Sequence, residues 1–225
     1  MLGRLGTLVA VTILVAAAAC SDGNESAPTT VVVSVPGAND PAAAVTELFS
    51  ALAAEDYERA AELTVDDQML AIAVAEDSSL AALQMVMDDG GNSVAANYWS
   101  GFADNLDELL GVVPEEVGVG DVTTMEIDGI EFARVELDLP VDRATRRFVV
   151  QQTDGWKIDV VATFAPTLAA RIARAAESLE ADAGATDVLR TLARQRPSLE
   201  AALRSGSIDA ETARVIQTAI ETLSA

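Results

Sequence analysis

Val45, Leu48, Phe49 and Leu52 recur at i, i+3, i+4 and i+7, the spacing of one apolar stripe on a helix. Asp40-Pro41 precedes them as an N-cap acceptor followed by proline at the first helical position. After Glu55-Asp56 a second short stripe holds Tyr57, Ala60, Ala61 and Leu63. Leu70 to Met87 is predicted helical, with a possible break at Ser78-Ser79, and DDGGN at 88–92 is a turn. Ser93 to Leu110 gives another helix with Val94, Tyr98, Trp99, Phe102, Leu106 and Leu109 on its apolar face, stopped by Gly111 and Pro114.

The period then drops to two. Val117 to Ile127 is strand-like, and Asp128-Gly129 is a hairpin signal. Ala133, Val135, Leu137 and Leu139 alternate with Arg134, Glu136 and Asp138, which predicts a strand with one wet face. Arg147 to Gln152 is a third strand. Asp154-Gly155 makes a second hairpin, and a fourth strand runs from Trp156 through Val161. Residues 166–225 return to helical spacing: one helix starts at Pro166 and ends at Gly184, and three more carry Leu189 and Leu192, Leu199 and Leu203, and Ile216 and Ile220. Segregated helices and strands indicate α+β. The expected architecture is N-terminal helices packed on a curved antiparallel sheet of about four strands, followed by a C-terminal helical segment.

The first forty residues have a different character. Arg4 precedes an uncharged apolar run, Leu5 to Ala19, and Cys20 follows at once as the chain's only cysteine. The run is the tripartite pattern of a secretory leader and is short for a spanning helix, which needs about 20 apolar residues. Residues 21–40 are small, polar and turn-forming, with Pro28 and Pro36, and read as a flexible tether. The chain thus divides into a leader (1–19), a cysteine and tether (20–40), an α+β body (41–165) and a helical segment (166–225).

Ala18, Ala19 and Cys20 resemble the processing site of bacterial lipoproteins, with Ala17 where an aliphatic residue such as Leu is usual. The resemblance covers residues 1–21. It implies diacylglycerol on the Cys20 sulfur, cleavage before it, and lipid anchoring at the extracytoplasmic face of the bacterial cell membrane. Each buried CH₂ contributes about 0.8 kcal/mol, so two or three acyl chains hold without any basic patch. A plain secreted protein is the alternative reading of the same residues.

The body resembles the nuclear transport factor 2-like superfamily, a cone of helices over a curved sheet. The matching residues are Pro41–Leu52 with Tyr57-Glu58-Arg59-Ala60, and Arg147–Val161 with Gly155-Trp156-Lys157-Ile158. The match covers roughly residues 41–163, and the helical stretch 66–110 departs from it. The resemblance implies a pocket between sheet and helices, for which Trp99, Phe102 and Trp156 are the candidate ligand-binding residues. Their other reading is core filling, in a chain only 4% aromatic.

Charge narrows the function. Fourteen basic against 36 acidic residues give a net charge of −22, concentrated between residues 21 and 165. Nucleic acid is excluded as a partner, because phosphate binding needs Lys and Arg to release counterions. The absence of His removes imidazole metal sites, His bases and Ser-His-Asp triads. With the Cys20 sulfur taken up by lipid no thiol remains, and neither a P-loop nor a nucleophile elbow appears. Asp66-Asp67 and the 88–92 turn are either calcium-attracting acids or a cap and a turn. Arg171, Arg174, Arg190, Arg194 and Arg196 either complement the acidic body or form a solvated face. The expectation is a non-enzymatic binding or interaction module of the envelope that needs no cofactor. It meets the membrane through lipid on Cys20 and an envelope protein through the C-terminal helices. An apolar ligand carrier using the cone pocket is the alternative, and an Asp-dependent enzyme follows from the cone resemblance alone.

Overall fold

A computed structural model describes residues 37–225, apart from 77, 107, 109, 110, 140–146, 207 and 225 and the side chain of Ser93. The leader, Cys20 and nearly all of the tether lie outside the described residues, as do Leu109 and Leu110. The fold is α+β, with helices before and after a four-stranded antiparallel sheet.

Helix α1 spans Pro41–Ala53, and the Asp40 carboxylate accepts from the Ala43 N–H at 2.8 Å as its cap. Helix α2 (Tyr57–Glu62) is capped in the same way by Asp56. The helical stretch from Leu70 to Met87 does break at Ser78-Ser79, into α3 (Gln68–Ala75) and α4 (Leu80–Asp88), with Ser79 capping the second. All eight residues of α3 are buried, because one side of it meets the first core at Met69 and Ile72 and the other meets the second at Leu70 and Val74. Helix α5 runs from Asn92 to Asp104.

Strands β1 (Gly118–Ile127), β2 (Ile130–Asp138), β3 (Arg147–Gln152) and β4 (Trp156–Ile158) form a meander in the order β1-β2-β3-β4. Asp128 and Gly129 both take positive φ, 51° and 79°, as a two-residue hairpin of this twist requires. The free edge of β4 is covered by the chain between α2 and α3. Ile158 N–H donates to the Leu63 carbonyl at 2.7 Å, and Val65 N–H donates to the Ile158 carbonyl at 3.0 Å.

Four helices follow: α6 (Val160–Leu179), α7 (Thr186–Ala193), α8 (Arg196–Arg204) and α9 (Ala210–Thr222). Two expectations change here. The fourth strand stops at Ile158 rather than continuing through Val161, because the Asp159 carboxylate takes the Ala162 N–H at 2.7 Å and starts a helix. Pro166 therefore does not begin the helix but sits inside it. The backbone bends just before it, at Phe164 (φ −107°, ψ 16°), as a missing N–H and a ring clash demand.

Strands β2 and β3 are packed on both faces, whereas β1 is exposed from Gly120 to Thr124. Ala133, Val135, Leu137, Phe148 and Val150 pack against α1, α2 and α5 around Leu48, Phe49 and Trp99. Phe132 and Val149 point the other way, into a second core with Ile172, Leu192, Leu199 and Ile216 from α6–α9. The wet face expected from Arg134 and Glu136 is only partly wet: their side chains are 28% and 20% exposed. Arg134 Nη1 donates to the Ser205 carbonyl at 3.1 Å, and Arg147 Nε donates to the Ser205 hydroxyl at 3.3 Å. The turn after α8 is thereby fastened onto the sheet. The described residues from Gly37 onward belong to one compact unit.

Candidate functional site

The rings singled out by the sequence lie in the first core. Trp99 and Phe102 meet edge to face at 5.4 Å, and Phe102 continues to Phe148 at 6.3 Å and Phe164 at 5.9 Å. Trp99 is fully buried, and its indole Nε1–H donates to the Thr64 hydroxyl at 2.8 Å. Trp156 is also buried but sits on β4, where its backbone bridges to Ala38 and its ring makes none of these aromatic contacts. The structure thus brings Trp99 and Phe102 together as packed core, with Trp156 elsewhere in the same cluster. Burial pushes the Tyr98 hydroxyl up, with the Glu76 charge adding to the effect.

Among the described residues, three of the four acids in the pairs Asp66-Asp67 and Asp88-Asp89 have partners. Asp66 pairs with Lys157 at 3.1 Å, Asp67 pairs with Arg194 at 2.9 Å, and Asp89 accepts from the Gly91 N–H at 2.7 Å within its turn. Among the described residues no group of three or more acidic or cysteine side chains is placed to hold a metal ion.

Polar chemistry collects instead where α3, β4, α6 and α8 meet. Gln68 Oε1 accepts from the Val160 N–H at 2.7 Å and the Val161 N–H at 3.4 Å, two of the donors that a helix start leaves open. Its Nε2 donates to the Ser198 hydroxyl at 3.3 Å. Asp159 lies beside them and is completely buried. Its Oδ1 accepts from Ala162, while Oδ2 has no hydrogen bond. Burial pushes this carboxyl up to about 6 from an ordinary 3.8, and the Ala162 N–H, the Ser198 hydroxyl, the Gln68 amide and the Val161 N–H act in the opposite sense. Ser198 and Gln68 are near enough to favour the anion without meeting hydrogen-bond geometry at Oδ2. Asp159 had a readable signal, an acceptor before an apolar run; Gln68 and Ser198 had none.

Two clefts open on the body, one of them at this network. One, of about 550 Å³, is lined by Asp67, Ile130, Gln151, Arg194, Arg196 and Ser198, so one member of the buried network reaches its wall. Its cations are already paired, Arg194 with Asp67 and Arg196 with Asp128 at 2.6 Å. The other, of about 660 Å³, lies between α3, α4 and α6 and carries Arg171 and Arg174. Of the five C-terminal arginines, read either as complementing the acidic body or as a solvated face, Arg194 and Arg196 pair with body aspartates, and Arg190 pairs within its own helix with Asp187 at 2.6 Å. Arg171 and Arg174 instead face the larger cleft. Compared with protein-family models, with curated proteins and with solved structures, the chain matches none.

Proposed function

We propose that this protein is a bacterial lipoprotein, held at the extracytoplasmic face of the cell membrane by acyl chains on Cys20, and that its body is a non-enzymatic binding module of the envelope. The observation that carries the reading is the single cysteine placed directly after the uncharged run Leu5–Ala19. A net charge of −22 gives the body no electrostatic hold on anionic lipid, so attachment falls to the acyl chains. No helix among the described residues is long and apolar enough to cross a membrane.

The apolar faces of the C-terminal helices are used inside the body, which narrows where a partner can sit. Ile172, Leu192, Leu199 and Ile216 of the C-terminal helices cover the sheet, so an envelope partner meets their polar faces and the flanking clefts. The helices-then-meander order agrees with the resemblance to the nuclear transport factor 2-like superfamily, which stays part of this reading. With Trp99 and Phe102 packed ring to ring, the clefts are better binding candidates than those two positions.

Intact mass spectrometry of the product expressed in a bacterial host tests the anchor. The expected species is cleaved before Cys20, carries acyl increments and stays with the membrane, and Cys20→Ser releases it from that processing. An unacylated wild-type chain free in the medium overturns the reading.

A further inference from the structure

We propose that the cleft between α3, α4 and α6 binds a small amphiphile with one negative charge, a carboxylate or phosphodiester head on a short apolar body, through Arg171 and Arg174. The proposal gives the binding module a ligand class and rests on that reading of the body, not on the anchor.

Both guanidiniums line the cleft, and among the described residues neither has an acidic partner. In a chain with 36 acids, the other cleft-lining arginines have each found one. Among the described residues Arg171 and Arg174 meet no carboxylate within 4 Å. Arg171 reaches across to the Ala75 carbonyl at the end of α3, a contact of 3.5 Å, and Arg174 Nε donates only to Ala170 of its own helix at 3.3 Å. A planar guanidinium with free N–H groups is matched to carboxylate and phosphate oxygens.

The rest of the wall sets the ligand's other properties. Among the described residues Glu76 is the one carboxylate lining the cleft, beside two cations that favour an anionic head. A dianion would add repulsion from Glu76 and from the acidic body. Val74, Leu83 and Leu179 supply apolar wall beside the arginines, and Ser78 and Ser178 supply hydroxyls. A volume of about 660 Å³ lies within the usual range for small-molecule sites.

Equilibrium dialysis with radiolabelled decanoate tests this on the protein as recovered: in phosphatidylcholine nanodiscs, with empty discs subtracted, if it comes with the membrane, or free in buffer if it comes from the medium. Either recovery permits the binding measurement, so failure of the anchor and failure of the cleft are distinguishable. The expected result is saturable binding of one decanoate per chain, weakened by added salt, with no saturable binding of decyltrimethylammonium. The double variant R171Q/R174Q weakens binding at least tenfold, and R190Q, whose guanidinium is outside the cleft, leaves it unchanged. If the double variant does not fold by circular dichroism, R174Q alone carries the test, with an expected loss of at least threefold. Absence of saturable decanoate binding, equal binding of the cationic amphiphile, or undiminished binding by a folded R171Q/R174Q variant overturns the proposal.

Discussion

Asp159 offers the sharpest test of the fold's energetics. Its carboxyl is buried, caps α6 through Oδ1 and leaves Oδ2 without a hydrogen bond. Folding raises its proton affinity from an ordinary 3.8 to about 6, chiefly by burial. The folded state therefore holds a proton that the unfolded chain has released between those two pH values. Stability falls as pH rises wherever the native state binds more protons. Asp159 thus contributes its full stability below pH 3.8, loses it as pH climbs through about 6, and changes nothing above that. The difference between 3.8 and about 6, at about 1.4 kcal/mol per tenfold change in affinity, is worth about 3 kcal/mol. Asp159→Asn keeps an oxygen for the Ala162 N–H and removes the charge. Urea unfolding of wild type and variant at pH 4 and pH 7.5 isolates the effect, because the other carboxylates titrate alike in both proteins. The expected outcome is a variant that gains on wild type by about 2–3 kcal/mol between pH 4 and pH 7.5. Parallel curves, with the same difference at both pH values, would refute the claim that this carboxyl is ionised at a cost.

Three further outcomes follow from the packing. Thr64→Val removes the acceptor of the buried Trp99 indole N–H and should cost about 1–3 kcal/mol in chemical denaturation; a loss under about 0.5 kcal/mol would mean the bond is dispensable. Gly206→Ala should cost about 1–3 kcal/mol, because Gly206 sits at φ 146° and a Cβ there would lie 3.3 Å from Arg134 Nη1; an unchanged unfolding midpoint contradicts this. Lys157 is 3% exposed but its partners Asp66, at 3.1 Å, and Asp154, at 3.8 Å, are 72% and 40% exposed, so the pairs are weak and the stem carries the packing. Lys157→Met should stay within about 1 kcal/mol of wild type and Lys157→Ala should lose about 2 kcal/mol more; thermal melts in which both variants lose alike would show that the ion pairs dominate.

What could be read from the chain was the part governed by neighbours in sequence. Asp40-Pro41 sets the start of α1, Asp128-Gly129 sets the first hairpin, and β3 runs over Arg147–Gln152 as its pattern indicates. Each rests on interactions a few residues apart. The misread segments are those where a distant group decided between two locally acceptable structures. Val160-Val161 continue a β-branched alternation, but Gln68, some ninety residues upstream, takes both their N–H groups and makes the helix start affordable. Arg134 and Glu136 look like a solvent face because charge in a strand usually is; here the Ser205 carbonyl accepts from Arg134 and the stems carry the turn after α8.

The candidate site was hidden for the same reason. Apolar rings line pockets and fill cores alike, so Trp99 and Phe102 carry no mark in sequence that separates the two roles. The separation appears only in geometry, where four of the rings close on one another at 5.4 to 6.3 Å. The five C-terminal arginines are equally alike in sequence. Arg194 and Arg196 lie at the ends of short helices that bring them to Asp67 and Asp128, whereas Arg171 and Arg174 lie mid-helix on α6, opposite the end of α3. Charge in an acidic chain is informative where it goes unpaired, and pairing is a property of the assembled helices that no window of sequence contains. The two unpaired guanidiniums are therefore where a binding function is best sought in this body, and the conspicuous aromatics are where its stability is.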